Sequence, residues 1–370
     1  MNRRNKLMTD NDEQRLRELA EAGMMPSAIL EPRYPHTGIG AALVVRASIY
    51  FEGGYKREKR AALAAILDAY ASIARESVTS GGQALKWLWF NGTQARPFSK
   101  APTLAALAKR TGANEGFDAT HVGGDTAHEA SFFEFTTFCL EQFQAELGTR
   151  IRGLDVLVFT LPIGFVRSNP GKYIELFQFA ATAIDARHGH AGFAINLSPS
   201  GRTKNESSEY FMAQRLGPGV DIGNPVATKV RDLTDRIKTV DWLTLVDMDM
   251  LERVGGIDRL RSELPPDWYS LDSCAGGLLI RAGVAPEAGV IRPGAPPAAP
   301  PAYVVLNAAL RAIVADTVAS LQRGTANGDA PVVNSKVSSN AWLRRFDVSA
   351  DELLSAKSAV LDTRRLPTAD

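Results

Sequence analysis

Between Leu43 and Phe51 the side chains fall into two alternating sets, Val45, Ala47, Ile49 and Phe51 against Val44, Arg46, Ser48 and Tyr50. A period of two predicts a strand. Gly53-Gly54 turns the chain after it. The period then lengthens: Leu63, Ile66, Leu67, Tyr70 and Ile73 recur at helical spacing and predict a helix from about Tyr55 to Ala74. The aromatic segment Leu85 to Phe90 predicts a second strand, Leu104 to Lys109 a small helix, and Phe132 to Phe138 another strand. Leu154 to Leu161 is almost unbroken apolar, the pattern of a central strand buried on both faces.

Asn169-Pro170 predicts a helix start, with asparagine as the cap and proline at the first position, where its missing N–H costs nothing. Tyr173, Phe177, Ala180 and Ile184 form the buried stripe. Arg187 and His188 fall in the expected last turn and Gly189 at the expected left-handed stop, with a strand from Ala191 to Leu197 next. Asn205 is placed to cap a helix running to about Leu216. Val240 to Val246 and Gly276 to Ala282 read as strands, with a short helix from Asp247 to Val254 between them. Tyr303 to Leu310 predicts a further strand and Arg311 to Gln322 a helix. Residues 10–22 read as a short surface helix before a loop with Pro26, Pro32 and Pro35. The proline-rich stretch Arg292 to Pro301 reads as a stiff connector, Gly324 to Asp329 as a loop, and Ala350 to Asp362 as a charged terminal helix.

Strict βαβ alternation is absent. The pattern predicts an α+β fold with mixed, largely antiparallel sheets flanked by helices. Two strand–helix–strand passages, Leu43 to Phe90 and Leu154 to Leu197, suggest related halves. The expected organisation is an N-terminal helix and linker over 1–35, a main domain over 36–347 with halves 36–150 and 151–347, and a tail helix over 348–370.

The 370 residues are 45% hydrophobic and 22% charged, enough to build a sizeable core. With 42 basic and 41 acidic side chains the formal charge is +1, so no global field favours nucleic acid or an anionic membrane. The basic start, Arg3-Arg4-Asn5-Lys6, is followed by acids rather than an apolar stretch, and no apolar run approaches the length of a membrane span. A cytoplasmic protein is expected. Cys139 and Cys274 are too few for a disulfide scaffold or a cysteine-rich zinc site, and read as buried thiols.

Motifs for chemistry are sparse. Gly38-Ile39-Gly40 precedes a strand instead of following one, and Gly171-Lys172 lacks the glycine spacing and hydroxyl residue of a phosphate loop. No Gly-x-Ser-x-Gly elbow occurs. His188-Gly189-His190 is a candidate metal pair, but it straddles the expected helix stop, so it reads as structural. Trp87 and Trp89 share one strand face, either as core or as an anchor for a partner. Lys56 to Arg60 reads as the exposed face of a helix start, and Arg344-Arg345 lies beside Trp342. No cofactor or metal is expected, and no catalytic residue stands out.

Several stretches in order carry a resemblance. They include Leu43-Val44-Val45-Arg46 with Tyr50-Phe51, Leu85-Lys86-Trp87-Leu88-Trp89, His188 to Ser198, Asn205-Glu206 and Lys238 to Thr244. Gly255-Gly256, Gly276 to Gly283 and Trp342-Leu343-Arg344-Arg345-Phe346-Asp347 complete the set. Together, over about residues 35–347, the chain resembles the type VI immunity family (TsiV-like). The resemblance implies a protein that binds and neutralises the cognate toxin of a type VI secretion system, by stoichiometric inhibition and without enzymatic activity. Toxins near such genes often carry a restriction-endonuclease-like nuclease domain. Inhibitors of basic nuclease sites are often acidic, and this chain is balanced. A local acidic face, binding by shape and apolar anchors, or a toxin of another kind would each account for that. The expected partner contacts are the polar loop around Arg202 and Lys204, the acids Glu206 and Glu209, and the loop bearing His121 and Asp125. The alternatives are an enzyme using His188 or His190 and a nucleic-acid-binding regulator of its own operon.

Overall fold

In the computed structural model, which describes residues 14, 18–26, 38–78, 83–148, 152–200, 206–322 and 335–367, the alternating segments join into one sheet of eleven strands. They are β1 (Met24–Pro26), β2 (Ile39–Phe51), β3 (Trp87–Phe90), β4 (Arg96–Pro97), β5 (Phe117–Val122) and β6 (Glu134–Cys139), then β7 (Asp155–Pro162), β8 (Ala186–Leu197), β9 (Leu243–Val246), β10 (Tyr269–Cys274) and β11 (Gly277–Ala282). The order across the sheet is β10-β11-β9-β8-β2-β7-β6-β5-β3-β4, with β1 paired to the start of β2, and every strand pair is antiparallel. The fold is α+β, as expected. β2 lies between β8 and β7, so the sheet interleaves strands from either side of residue 150.

Register divides the side chains between two faces. One face carries Ala47, Phe159, Phe135 and His121, which are cross-strand neighbours, with Ala191 and Leu243 in the same row. The helices Arg57–Glu76 and Pro170–Ala183 pack here. Tyr70 meets Phe135 and Phe159 at 5.5 and 6.0 Å between ring centroids, and its hydroxyl donates to the Thr160 carbonyl at 2.8 Å. Tyr173 bridges Phe159 and Trp242. The other face carries Trp89, Thr120, Thr136, Val158, Ser48, His190 and Thr244 in one row, and Glu134, Thr160, Arg46 and Gly192 in the next. That second face is polar, and the candidate site is built on it.

Several expectations change at the level of elements. The helix after Asn169 ends at Ala183, because Asp185 at φ +51° takes the left-handed stop, and β8 has begun before Gly189. His188, Gly189 and His190 are therefore strand residues. Asn169 does not cap that helix; its side chain donates back to the Phe165 carbonyl at 3.2 Å. Tyr303 to Leu310 is a helix, Pro301–Leu310, buried on nearly every side, and only Arg311–Ile313 of the following segment is helical, as a single 3-10 turn. Arg60 is not on an exposed face. It is 1% exposed and donates to the carbonyls of Gly54, Thr111, Gly112 and Glu115 while lying 4.9 Å from the Phe117 ring. Arg345 is stacked on Trp342 at 3.4 Å. β1, β5, β10 and the helices Gly256–Glu263 and Lys336–Leu343 have no counterpart among the elements that the hydrophobic pattern predicts. Asn205, Pro32, Pro35, most of residues 10–22 and the Gly324 to Asp329 loop lie outside the described residues.

Candidate functional site

A strand buried on both sides requires any charge on it to be paired. Arg46 on β2 meets this by reaching Asp221, whose Oδ2 accepts from Arg46 Nη2 at 3.0 Å and lies 3.2 Å from His190 Nε2, while Oδ1 lies 2.6 Å from Lys238 Nζ. Asp221 is held in place by its own backbone: its N–H donates to the Phe193 carbonyl, and it bridges to Ala194 of β8. Burial alone would raise the Asp221 carboxyl. Lys238, His190 and Arg46 together hold it well below the usual carboxylate range. Beside this cluster Glu209, on the helix Glu206–Leu216, accepts from Gly223 N–H and from Gln322, both at 2.9 Å. Burial raises the Glu209 carboxyl, and Arg46 pulls it back.

Moving out along the polar face, the covering segments stop and a cleft of about 350 Å³ opens over β3, β5 and β6. Its walls include Trp89, Asp118, Thr120, Thr136, Ser200 and Asn224. Trp89 stands edge-on to His128 at 5.7 Å, and its indole N–H has no acceptor within the described residues. Behind Asn224 a narrow cavity, with room for about one water, is lined by Glu134, Glu206, Glu209 and Arg46. Thr136, which faces the cleft, donates to Glu134 at 3.1 Å and so joins the two spaces.

The residues expected to contact a partner are scattered by the fold. His121 sits on β5 rather than in a loop, is fully buried on the helix-packed face, and lies edge-on to Phe98 and Phe135. Glu206 and Glu209 are 5% and 3% exposed, on the inner side of their helix, and do not form an outer surface. Asp125 is exposed and paired with Lys86 at 2.6 Å. Arg202 and Lys204 lie outside the described residues. Trp89, already noted as an anchor or a core residue, is half-buried at the cleft edge. Asp221, Lys238 and Glu134 are not legible as site residues, because an isolated acid or lysine carries no motif; only the Arg46 in the middle of an apolar strand signals that a counter-charge must exist.

His121 shows what this placement costs. Neither ring nitrogen has a hydrogen bond of good geometry, the Phe135 backbone giving only partial support, and burial pulls the imidazole down to about 4 from its ordinary 6.5. Between those values the unfolded chain binds a proton that the folded chain refuses, so stability is lost as pH falls through that window. His121→Leu should therefore stabilise the fold by about 1 kcal/mol near neutrality, and its advantage should grow by about 2 kcal/mol between about pH 7 and about pH 5. Urea unfolding of both proteins at the two pH values measures this; an advantage that shrinks on acidification would contradict it.

The two histidines of β8 are each committed. His188 stacks on Tyr50 at 4.8 Å and its Nε2 lies 2.9 Å from the Leu233 carbonyl, which it reaches as an N–H donor. Burial pulls it down to about 3. His190 is committed to Asp221. Among the described residues no group of three or more His, Cys, Asp or Glu side chains could hold a metal ion, and no helix is long and apolar enough to cross a membrane. Cys139 and Cys274 are buried free thiols, both pushed up by burial.

Comparison with known proteins now gives the frame a biological setting. No curated protein matches this sequence. Among solved structures the Pseudomonas aeruginosa T6SS protein PA0821 matches with a TM-score of 0.84 and 27% sequence identity, over 97% of this chain and 98% of that one. The family model TsiV, type VI immunity for VRR-NUC, matches residues 62–346, most of the described core. The chain belongs to the TsiV family of type VI immunity proteins.

Proposed function

We propose that this chain protects the cytoplasm of the cell that makes it by binding a VRR-NUC nuclease toxin stoichiometrically, as a folded and pre-organised partner with no turnover of its own. The family match over residues 62–346 carries this reading. The placement of most reactive side chains supports it: His121, His188, His190, Cys139 and Cys274 are buried, and both β8 histidines have partners within the fold, while His128 is exposed with its Nδ1 2.9 Å from Ser200 Oγ. A surface whose underlying charges are fixed by the Asp221 cluster loses little conformational freedom on docking, which favours affinity.

The test is a titration of the purified chain against the intact cognate toxin, reading cleavage of duplex DNA. Cleavage should fall linearly and vanish at about one chain per toxin, as expected of a tight complex of standard size. Complete inactivation at a small fraction of that ratio would instead mark an enzyme. Undiminished cleavage at excess chain would sink the reading.

A further inference from the structure

The proline-rich stretch after Ala288 leaves the body of the protein at Gly289 and returns at Pro300. Between them Val290 and Ala298 exchange both backbone hydrogen bonds, at 2.8 and 2.9 Å. At the far end Ala295 N–H donates to the Arg292 carbonyl at 3.2 Å across Pro293-Gly294, with Gly294 at φ +75°. Proline second and a positive-φ glycine third are the order of a type II turn. A Cβ on Gly294 would meet nothing within 4 Å, so the turn stands clear of the body. The base is pinned. Gly289 takes φ +93°, a Cβ on it would fall 2.3 Å from the Ala298 carbonyl oxygen, and Gly219 N–H donates to the Ala288 carbonyl at 2.8 Å. Residues 290–298 therefore form a closed finger, exposed along its length, in which three prolines remove backbone freedom before any partner arrives.

The finger is apolar apart from one cation. Over residues 288–301 the only charged side chain is Arg292, and among the described residues no ion pair or hydrogen bond engages its guanidinium. Val290 and Ile291 stand exposed beside it. At the base, Pro297 forms one wall of a pocket of about 220 Å³ whose other walls include Tyr210, Ala213, Pro218, Val220 and Trp342. No carboxylate lines that pocket among the described residues, and its one arginine, Arg345, is engaged by the Trp342 ring and the Pro218 carbonyl. A convex and a concave apolar part thus adjoin on one rigid surface, the composition of an interface core. An arginine covered by a partner needs an acid opposite it, and this surface supplies none.

We propose that the 290–298 finger and the pocket at its base form the surface on which the VRR-NUC nuclease docks, with Arg292 paired to a carboxylate of the nuclease and an apolar side chain of the nuclease filling the pocket. The proposal rests on the reading given above that such a nuclease is the partner. A cationic finger does not imitate the backbone of DNA. It fits a recess that holds an acid, which a flat surface could not reach. Its stiffness avoids the ordering cost that a loose loop would incur on docking.

Calorimetric binding of the intact toxin to the full chain tests this. Arg292→Glu should weaken binding by about 100-fold and Ile291→Ser by about 10-fold. Arg292→Lys, which keeps the charge and loses the planar fork, should fall between the parent and Arg292→Glu. Ala341→Trp, which fills the pocket from its exposed rim, should weaken binding by about 10-fold. Arg261→Glu, the same charge reversal at an exposed side chain on another element, should stay within about 2-fold. Thermal melts establish that each variant folds; where Ala341→Trp does not, the variants of the solvent-facing Arg292 and Ile291 decide. Wild-type affinity in the folded Arg292→Glu and Ile291→Ser variants, with the parent chain still binding tightly, would overturn the finger and leave the partner reading intact. A parent chain that forms dimers dissolved by Ile291→Ser, or that binds duplex DNA through Arg292, would also overturn it, because either result gives the surface another occupant. Failure of the parent chain to bind the toxin would remove both readings.

Discussion

Gly192→Ala should cost about 4 kcal/mol or more of stability, enough to leave little folded protein at growth temperature. Gly192 is an ordinary strand residue of β8, so its φ is not the reason. The reason is space: a Cβ built there falls 1.7 Å from Asp241 Oδ1 and 2.3 Å from its Cγ. Asp241 cannot swing aside without loss. Its Oδ1 accepts from the Trp242 N–H at 2.8 Å, and the Tyr303 hydroxyl hydrogen-bonds it as well. Burial and the neighbouring Asp221 push its carboxyl up to about 8, so it is protonated at neutral pH and would be displaced as a buried neutral acid with no other partner. Adding Asp241→Ala to Gly192→Ala should return part of the loss, because the second change removes the obstacle. Denaturant unfolding of the single and double variants gives the coupling. A Gly192→Ala protein as stable as the parent would show that the β8 backbone gives way, and the steric account would fail.

Asp221→Ala should be nearly as damaging, at about 3–5 kcal/mol, because it strands charges instead of creating a clash. Lys238 is 1% exposed and Arg46 is 6% exposed, and Asp221 is the carboxylate in direct contact with both, with Glu209 the next carboxylate acting on each. His190 loses its partner too. A cavity alone would be a smaller effect than taking the contacting carboxylate from two cations in a dry interior. The two contributions separate by combination: adding Lys238→Met to Asp221→Ala should recover stability, while Lys238→Met alone should lose it. Urea midpoints decide the matter. An Asp221→Ala midpoint within about 1 kcal/mol of the parent would mean that water or relaxation satisfies the cations, contrary to the burial seen here.

How far the sequence speaks depends on whether the signal is local. β2, the Arg57–Glu76 helix and β7 are visible because periodicity and burial agree in each. The helix Ala350–Leu361 begins at a Ser349 and Glu352 capping box, which is also a local device. Pro301–Leu310 was hidden because Tyr303, Val304, Val305 and Leu306 look like strand residues, and a helix buried all round has no polar stripe to betray its period. The stop before β8 was misplaced because Asp185 holds the left-handed backbone that a following glycine advertises more loudly. Glu206 and Glu209 read as partner contacts because they are charged, and only the folded arrangement brings Gly223 and Gln322 against Glu209. The cleft itself joins Trp89, Thr136 and Asn224 from distant parts of the chain. No spacing along the sequence encodes that meeting.

The position of β2 also governs the order in which the sheet can assemble. Its long pairings, Val44 with Pro162 and Ala41 with Leu197, lie to strands made well after it. Until those strands are made, β2 has only the three-residue β1 against its start, and most of both edges is open. An apolar segment waiting in that condition invites pairing with the wrong chain. The centre of the sheet, β7-β2-β8, can therefore close only once residues up to Leu197 have been made.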